Sequence, residues 1–244
     1  EMVRILVWKG MQTTLSTNGL TDLRLLEEMH RKYPTDVVRV GVSVNSAEIP
    51  PALHDYIIRR KPVVKSVLGR DRKIPEAVRP FLSVAGIDLF LLFMDTVQRG
   101  DLKEGLPFYE FLGEMEALRE SYPDVGAVYC SGFIPSTEGD QISKRVRCPA
   151  GTTKLSVLPD GSVYPCYLFF RHEEFRLGNL LTDDFSVIAK SPKLDFFRNF
   201  EGNTCPRSSC GLFSRCHGGC PAVSLLICGD MGSPDPRCVP PASV

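Results

Sequence analysis

Residues 205–220 read "CPRSSCGLFSRCHGGC", four cysteines within sixteen residues with Gly218-Gly219 just ahead of the last. The chain has nine cysteines in all, and only Cys130 precedes residue 146. An odd count, with no secretory signal in the opening "EMVRILVWKG", argues against a disulfide framework. Clustered thiols in a reducing compartment point instead to metal. Four thiolates suit a tetrahedral zinc ion or an iron–sulfur cluster, and spacing alone does not separate the two.

Three more cysteines join the stretch from a distance. The order is Cys148-x12-Gly161-x4-Cys166, then Cys205-x4-Cys210-x5-Cys216-x3-Cys220, then Cys238. Seven ligands exceed what one tetrahedral ion takes and suit two clusters. Zinc sites come as two close pairs with a loop between them, whereas four of these cysteines run almost consecutively. The chemistry favours iron–sulfur and leaves zinc open. Gly218 and Gly219 would let backbone approach an inorganic core and donate amides to its sulfurs. Cys228, in the apolar run "VSLLIC", reads as a buried thiol.

From residue 147 onward the chain is rich in turns. "TKLSVLPDGSVYPCYLF" predicts a hairpin through Pro159-Asp160-Gly161, and Tyr164 and Tyr167 in it read as buried tyrosines with bonded hydroxyls or as groups serving near a metal site. "DFSVIAKSPKLDFFRNF" predicts a short helical piece broken at Pro192, and the tail "GDMGSPDPRCVPPASV" an irregular path. So small a region gains from metal ligation what its apolar core lacks.

Residues 1–146 have a different character. "VRILVW" predicts a strand, "LTDLRLLEEMHRKY" a helix capped by Thr21 and ended by Pro34, and "VVRVGVSVNS" a strand with alternating valines. "IDLFLLFM" predicts a strand buried on both faces, "LPFYEFLGEMEALRESYP" a helix with Phe108, Phe111 and Met115 on one stripe, and "VGAVYCSGF" a last strand. The order predicts an α/β fold with a parallel sheet, either doubly wound or part of a barrel. No G-x-G-x-x-G or P-loop follows any strand. Cys130, after the last strand, is a candidate ligand or active-site thiol.

The seven-cysteine layout, with "DGSVYPCY" and "CHGGCP", resembles the SPASM domain that follows the barrel of many radical S-adenosylmethionine (SAM) enzymes. The resemblance covers about residues 147–238 and departs only in the x4 between Cys205 and Cys210, where x2 is usual. It implies two auxiliary [4Fe–4S] clusters, one on Cys148, Cys166 and Cys220, the other on Cys205, Cys210, Cys216 and Cys238. The first lacks a fourth protein ligand, a place open to substrate or filled by Cys228 or Cys130. In residues 1–146, "STNG" (16–19) and "VSVNS" (42–46) resemble strand ends of the family's partial (β/α)6 barrel, with Asn45 where an aspartate is frequent. Asn18 and Ser43 would then face SAM, and His54-Asp55 resembles the "HD" that often follows. Sulfatase-maturing relatives carry aspartate after the second cysteine; here Tyr167 follows Cys166.

The family's C-x3-C-x2-C is absent, since Val223 stands where "CHGGC" would need its third cysteine. The expectation is therefore the C-terminal portion of such an oxidoreductase: residues 1–146 the later strands of the barrel, 147–244 the auxiliary-cluster domain. Alone, the chain is expected not to cleave SAM. The resemblance implies a peptide, protein or small-molecule substrate and an electron donor such as ferredoxin or flavodoxin. Formal net charge is zero, which gives no support to nucleic acid or an anionic membrane as partner. No apolar run approaches a membrane span, and a cytoplasmic location is the expectation. The rival readings are a non-enzymatic iron–sulfur electron carrier or scaffold and a zinc-stabilised interaction module.

Overall fold

The computed structural model describes residues 1–20, 22–128, 148–207, 209–211 and 213–238. The chain divides into two compact units, residues 1–94 with 104–128 and residues 95–103 with 129–244. Among the described residues no helix is long and apolar enough to cross a membrane.

The first unit opens with α1 (Met2–Trp8), where the sequence predicts a strand. A strand needs a neighbour for its backbone groups, whereas a helix bonds its own. The helix buries none of its residues. Five strands follow: β1 (Thr13–Thr17), β2 (Val38–Ser43), β3 (Val63–Leu68), β4 (Leu89–Phe93) and β5 (Gly126–Val128). They lie side by side in sequence order, all parallel. A doubly wound sheet reverses its order at a switch point; this one never does, which is the arrangement of a barrel segment. Between the strands run α2 (Leu23–Lys32), α3 (Pro51–Arg60) and α5 (Phe108–Ser121); the single turn α4 (Asp101–Glu104) falls, but for Glu104, in the second unit. Thr21, the expected cap of α2, lies outside the described residues; Asp22 caps it, accepting the Arg24 amide at 3.0 Å.

One face of the sheet is covered. Val38, Val40 and Val42 of β2, Val64 and Leu68 of β3, and Leu89, Leu91 and Phe93 of β4 are buried, as are Leu26, Ile57, Phe111 and Met115 of the helices. The other face is open, and Phe90 and Leu92 are only half-buried on it. The expected burial of "IDLFLLFM" on both faces is thus corrected to an alternation. An apolar run reads the same whether its second face meets protein or a cleft.

The second unit holds an antiparallel sheet of β6 (Ser156–Val157), β7 (Ser162–Tyr164) and β8 (Gly178–Asn179), in that order. Asp160 shapes the hairpin turn by accepting the Ser162 amide at 2.9 Å, and Gly161 takes φ +87°. The broken helix at Pro192 is present as α6 (Phe185–Ala189) and α7 (Asp195–Arg198), with a 3₁₀ turn at 192–194 between them. Then come α8 (Phe213–Cys216) and α9 (Pro221–Cys228). The core is aromatic: Tyr164, Phe169, Phe197 and Phe200 pack with Leu168, Val223 and Ile227. Phe169 stacks on Phe175 with ring centroids 4.2 Å apart and meets Phe197 edge-on at 5.7 Å.

Candidate functional site

Eight of the nine cysteines fall in the described residues. Cys130 lies outside the described residues. Strand β7 ends two residues before Cys166, and Cys220 sits at the N-cap of α9. Cys148 and Cys220 are buried within the aromatic core, and Cys166 packs against it. Three thiols from distant parts of the sequence thus share one apolar cluster. A metal takes such ligands as thiolates, so its binding releases protons.

A second group forms around the tail. The Cys238 thiol is pushed up to about 11, first by burial, then by the neighbouring Cys216 charge, with a smaller contribution from Cys205; Arg207 works the other way. Cys205 and Cys216 therefore lie within electrostatic reach of Cys238, while Cys210 is exposed. Backbone contacts hold the loop: the Cys210 amide donates to Arg207 O at 2.9 Å, and the Asn203 amide to His217 O at 2.7 Å. Among the described residues no three cysteine, histidine or acidic side chains converge as ligands of a single ion. Thiolate donors of this kind suit an iron–sulfur core or a zinc ion.

Buried side chains join the two groups. Asp235 and Arg237 are almost fully buried. The Arg237 guanidinium donates to both Asp235 oxygens, at 3.0 and 2.8 Å. The same carboxylate accepts the Cys220 amide at 2.8 Å, and the Asp235 carbonyl accepts the Cys238 amide at 3.0 Å. One residue therefore ties a cysteine of each group. The Asp95 carboxylate stands 3.8 Å from Arg237 and accepts the Tyr167 hydroxyl, beside Cys166. Sequence reading singled out none of Asp95, Asp235 and Arg237; the "PDPRC" of the tail carried the only signal.

Several expectations change. Gly218 and Gly219 take φ +93° and +102° and pack on Asn203 and Asp235, where a Cβ would overlap protein atoms. They allow close approach of chain to chain, and the Gly219 amide donates to Cys216 O at 3.1 Å. Cys228, expected buried, is exposed at the last position of α9, just before the left-handed Gly229. A helix end leaves one side of its final turn to solvent. Tyr164 is buried as expected, its hydroxyl 3.1 Å from Glu173, whereas Tyr167, expected buried as well, is exposed with its hydroxyl on Asp95.

In the first unit, a cavity of about 340 Å³ opens at the C-terminal ends of β1 and β2, lined by Asn18, Ser43, Asn45, Glu48 and Leu53 among others. Strand ends of this kind carry the sites of parallel barrels. Asn18 accepts the Leu20 amide at 3.1 Å, and Gly19 (φ +73°) turns the chain so closely over Leu53 that a Cβ would lie 2.5 Å from it. Asn45 accepts the Val67 amide at 2.9 Å, so its side chain fastens β2 to β3. His54 and Asp55 form a loose surface pair at 3.8 Å on α3.

Residues 148–220 match the family model described as SPASM, an iron–sulfur cluster-binding domain. The mycofactocin maturase MftC of Mycobacterium ulcerans is 36% identical over 97 residues, 38% of this chain and 25% of that protein. Streptococcus suis SuiB shares the fold over 97% of this chain and 62% of its own, with TM-score 0.70 and 17% identity; it has also been solved with S-adenosylmethionine and with its precursor peptide SuiA. AdoMet-bound anSMEcpe matches over 95% of this chain and 69% of its own, at TM-score 0.64 and 16% identity. The chain spans about three-fifths of SuiB, and its matched segment a quarter of MftC. The matched segment lies within the second unit.

Proposed function

We propose that the chain is the later barrel and auxiliary-cluster part of a radical SAM enzyme that modifies a peptide. Residues 1–146 supply barrel strands and 147–244 hold two [4Fe–4S] clusters. The observation that carries this reading is the sorting of the thiols: Cys148, Cys166 and Cys220 gather in one apolar cluster, and Cys205 and Cys216 within reach of Cys238. The peptide substrate rests on the maturase relatives and on the SuiA complex of SuiB.

Bound clusters supply one-electron transfer, and SAM supplies the radical that takes hydrogen from substrate in the intact parent. The chain's own residues do the rest. Asn18 and Ser43 line the strand-end cavity where the nucleoside would sit. The aromatic core excludes water from the Cys148 site, which lowers the local dielectric and strengthens its electrostatics. Asp235 and Arg237 fix the spacing of Cys220 and Cys238. A small one-electron carrier of the ferredoxin or flavodoxin class would deliver electrons.

Anaerobic purification with iron and sulfide analysis tests the reading. About eight irons per chain is the expected result. Cys220→Ala should remove the cluster of Cys148 and Cys166 and leave about four irons, with the second cluster's paramagnetic resonance retained. A colourless protein with stoichiometric zinc would overturn it.

A further inference from the structure

Residues 201–205 and 230–235 lie outside every helix and strand, so turns and single polar groups must fix their paths. Asn203 stands where these paths meet. It is almost fully buried, two residues ahead of Cys205. Its backbone amide donates at 2.7 Å to the carbonyl of His217, the residue after Cys216. Its side-chain Nδ2 donates to the carbonyls of Met231 and Ser233, both at 2.6 Å, in the segment that runs to Cys238. One residue thus holds together the three segments that bring Cys205, Cys216 and Cys238.

The crossing is built for close approach. Gly202 takes φ +141° and Gly218 φ +93°. A Cβ on the first would lie 2.6 Å from the His217 carbonyl oxygen, and one on the second 2.4 Å from that of Asn203. The next residue repeats the tie, the Thr204 amide donating to Gly232 O at 2.8 Å. A third acceptor for Nδ2 is the hydroxyl of the fully buried Ser224, at 2.9 Å, so its two protons are shared among three oxygens. Ser224 passes the bond on, donating to the Cys220 carbonyl at 3.1 Å. The amide group is thereby oriented, and its donors are all engaged.

We propose that Asn203 is the positioning residue of the second metal site: its amide group sets the spacing of Cys205, Cys216 and Cys238 before a metal arrives and keeps it afterwards. Asn203 takes this role on the reading that these thiols share one site with Cys210. Its donors carry the role, not its volume. Aspartate has the same shape but would set a carboxylate against the Met231 and Ser233 carbonyls, acceptor against acceptor. Asn179 provides the control within the same unit. It too is a bonded side chain, donating to Asp160 O at 2.8 Å and accepting the Leu181 amide at 2.8 Å, but it serves the hairpin.

The test uses the full chain, loaded anaerobically with iron and sulfide. It follows iron release to a chelator together with the paramagnetic resonance of each reduced cluster. Asn203→Asp should release the second cluster's iron about tenfold faster and shift its g values. The first cluster's signal should persist, which also shows that the second unit is folded. Asn179→Ala should leave both release rates within about twofold of the native chain. No acceleration in Asn203→Asp, equal loss of both clusters, or the same acceleration in Asn179→Ala would overturn the proposal. A native chain that takes zinc in place of iron would overturn the two-cluster reading alone. Zinc release from the same variants would then decide the role of Asn203 by the same comparison.

Discussion

The two units solve the problem of order differently. In the first, alternating valines and leucines of β2–β4 meet helices, and the sheet is held by burying apolar area on one face. In the second, strands are two or three residues long. Order there comes from an aromatic cluster, glycines in left-handed conformations, and polar side chains that staple loops. The lesson is that the same deletion should act differently in each unit: apolar truncation in the first, loss of a single polar partner in the second.

The largest effect expected is from Asp235→Ala. It leaves the Arg237 guanidinium buried without its carboxylate and frees the Cys220 amide. Breaking a buried pair from one side costs about 3–5 kcal/mol. Hydrogen exchange should locate the loss in the second unit, with the sheet of the first still protected. Equal loosening of both units would break the comparison. Leu91→Ala is its counterpart. Removing a fully covered side chain from β4 should cost about 2–4 kcal/mol, and exchange should localise it to the first unit.

How far each unit could be read ahead follows the same divide. Periodicity exposes β2, α2 and α5 because each has one covered face, and periodicity is the imprint of that face; β4 shows in the sequence only as a continuous apolar run. "VRILVW" misleads because α1 fully buries none of its residues, so no covered face imprints a helical period on it. Strand β3, "VVKSVL", passes unnoticed because Lys65 and Ser66 interrupt its apolar run, yet Lys65 faces the open side and Ser66 is buried. In the second unit the cysteine spacing announces metal, but Asp95, Asp235 and Arg237 are single polar residues in loops. Their pairing is long-range, and no local pattern encodes it.

A smaller effect concerns pH. The folded Cys238 thiol is raised to about 11 from the ordinary 9, chiefly by burial. A raised thiol pKa means that the metal-free fold prefers the protonated form. This stabilisation is full below pH 9 and fades as pH climbs through 11. Since the group is partly exposed, the loss is about 1–2 kcal/mol. Urea midpoints of chelator-treated protein at pH 8 and pH 11 should differ by that much more in the native chain than in Cys238→Ala. Cluster loading carries the opposite sign. Ligation releases the proton, so loading should fall as pH is lowered, by up to tenfold per unit for each proton released.

Gly113→Ala sharpens the comparison from the small end. Gly113 lies inside α5, and a Cβ there would meet nothing within 4 Å. Alanine should therefore stabilise the first unit by about 0.5–1 kcal/mol, since it restricts the unfolded chain and disturbs no contact. Gly219→Ala, by contrast, places a Cβ against Asp235 at φ +102° and should loosen the second unit. The same substitution is thus predicted to change sign between the units. Denaturant midpoints with exchange read separately for each would show it; stabilisation by both alanines would mean that the close approach of Gly219 to Asp235 contributes nothing.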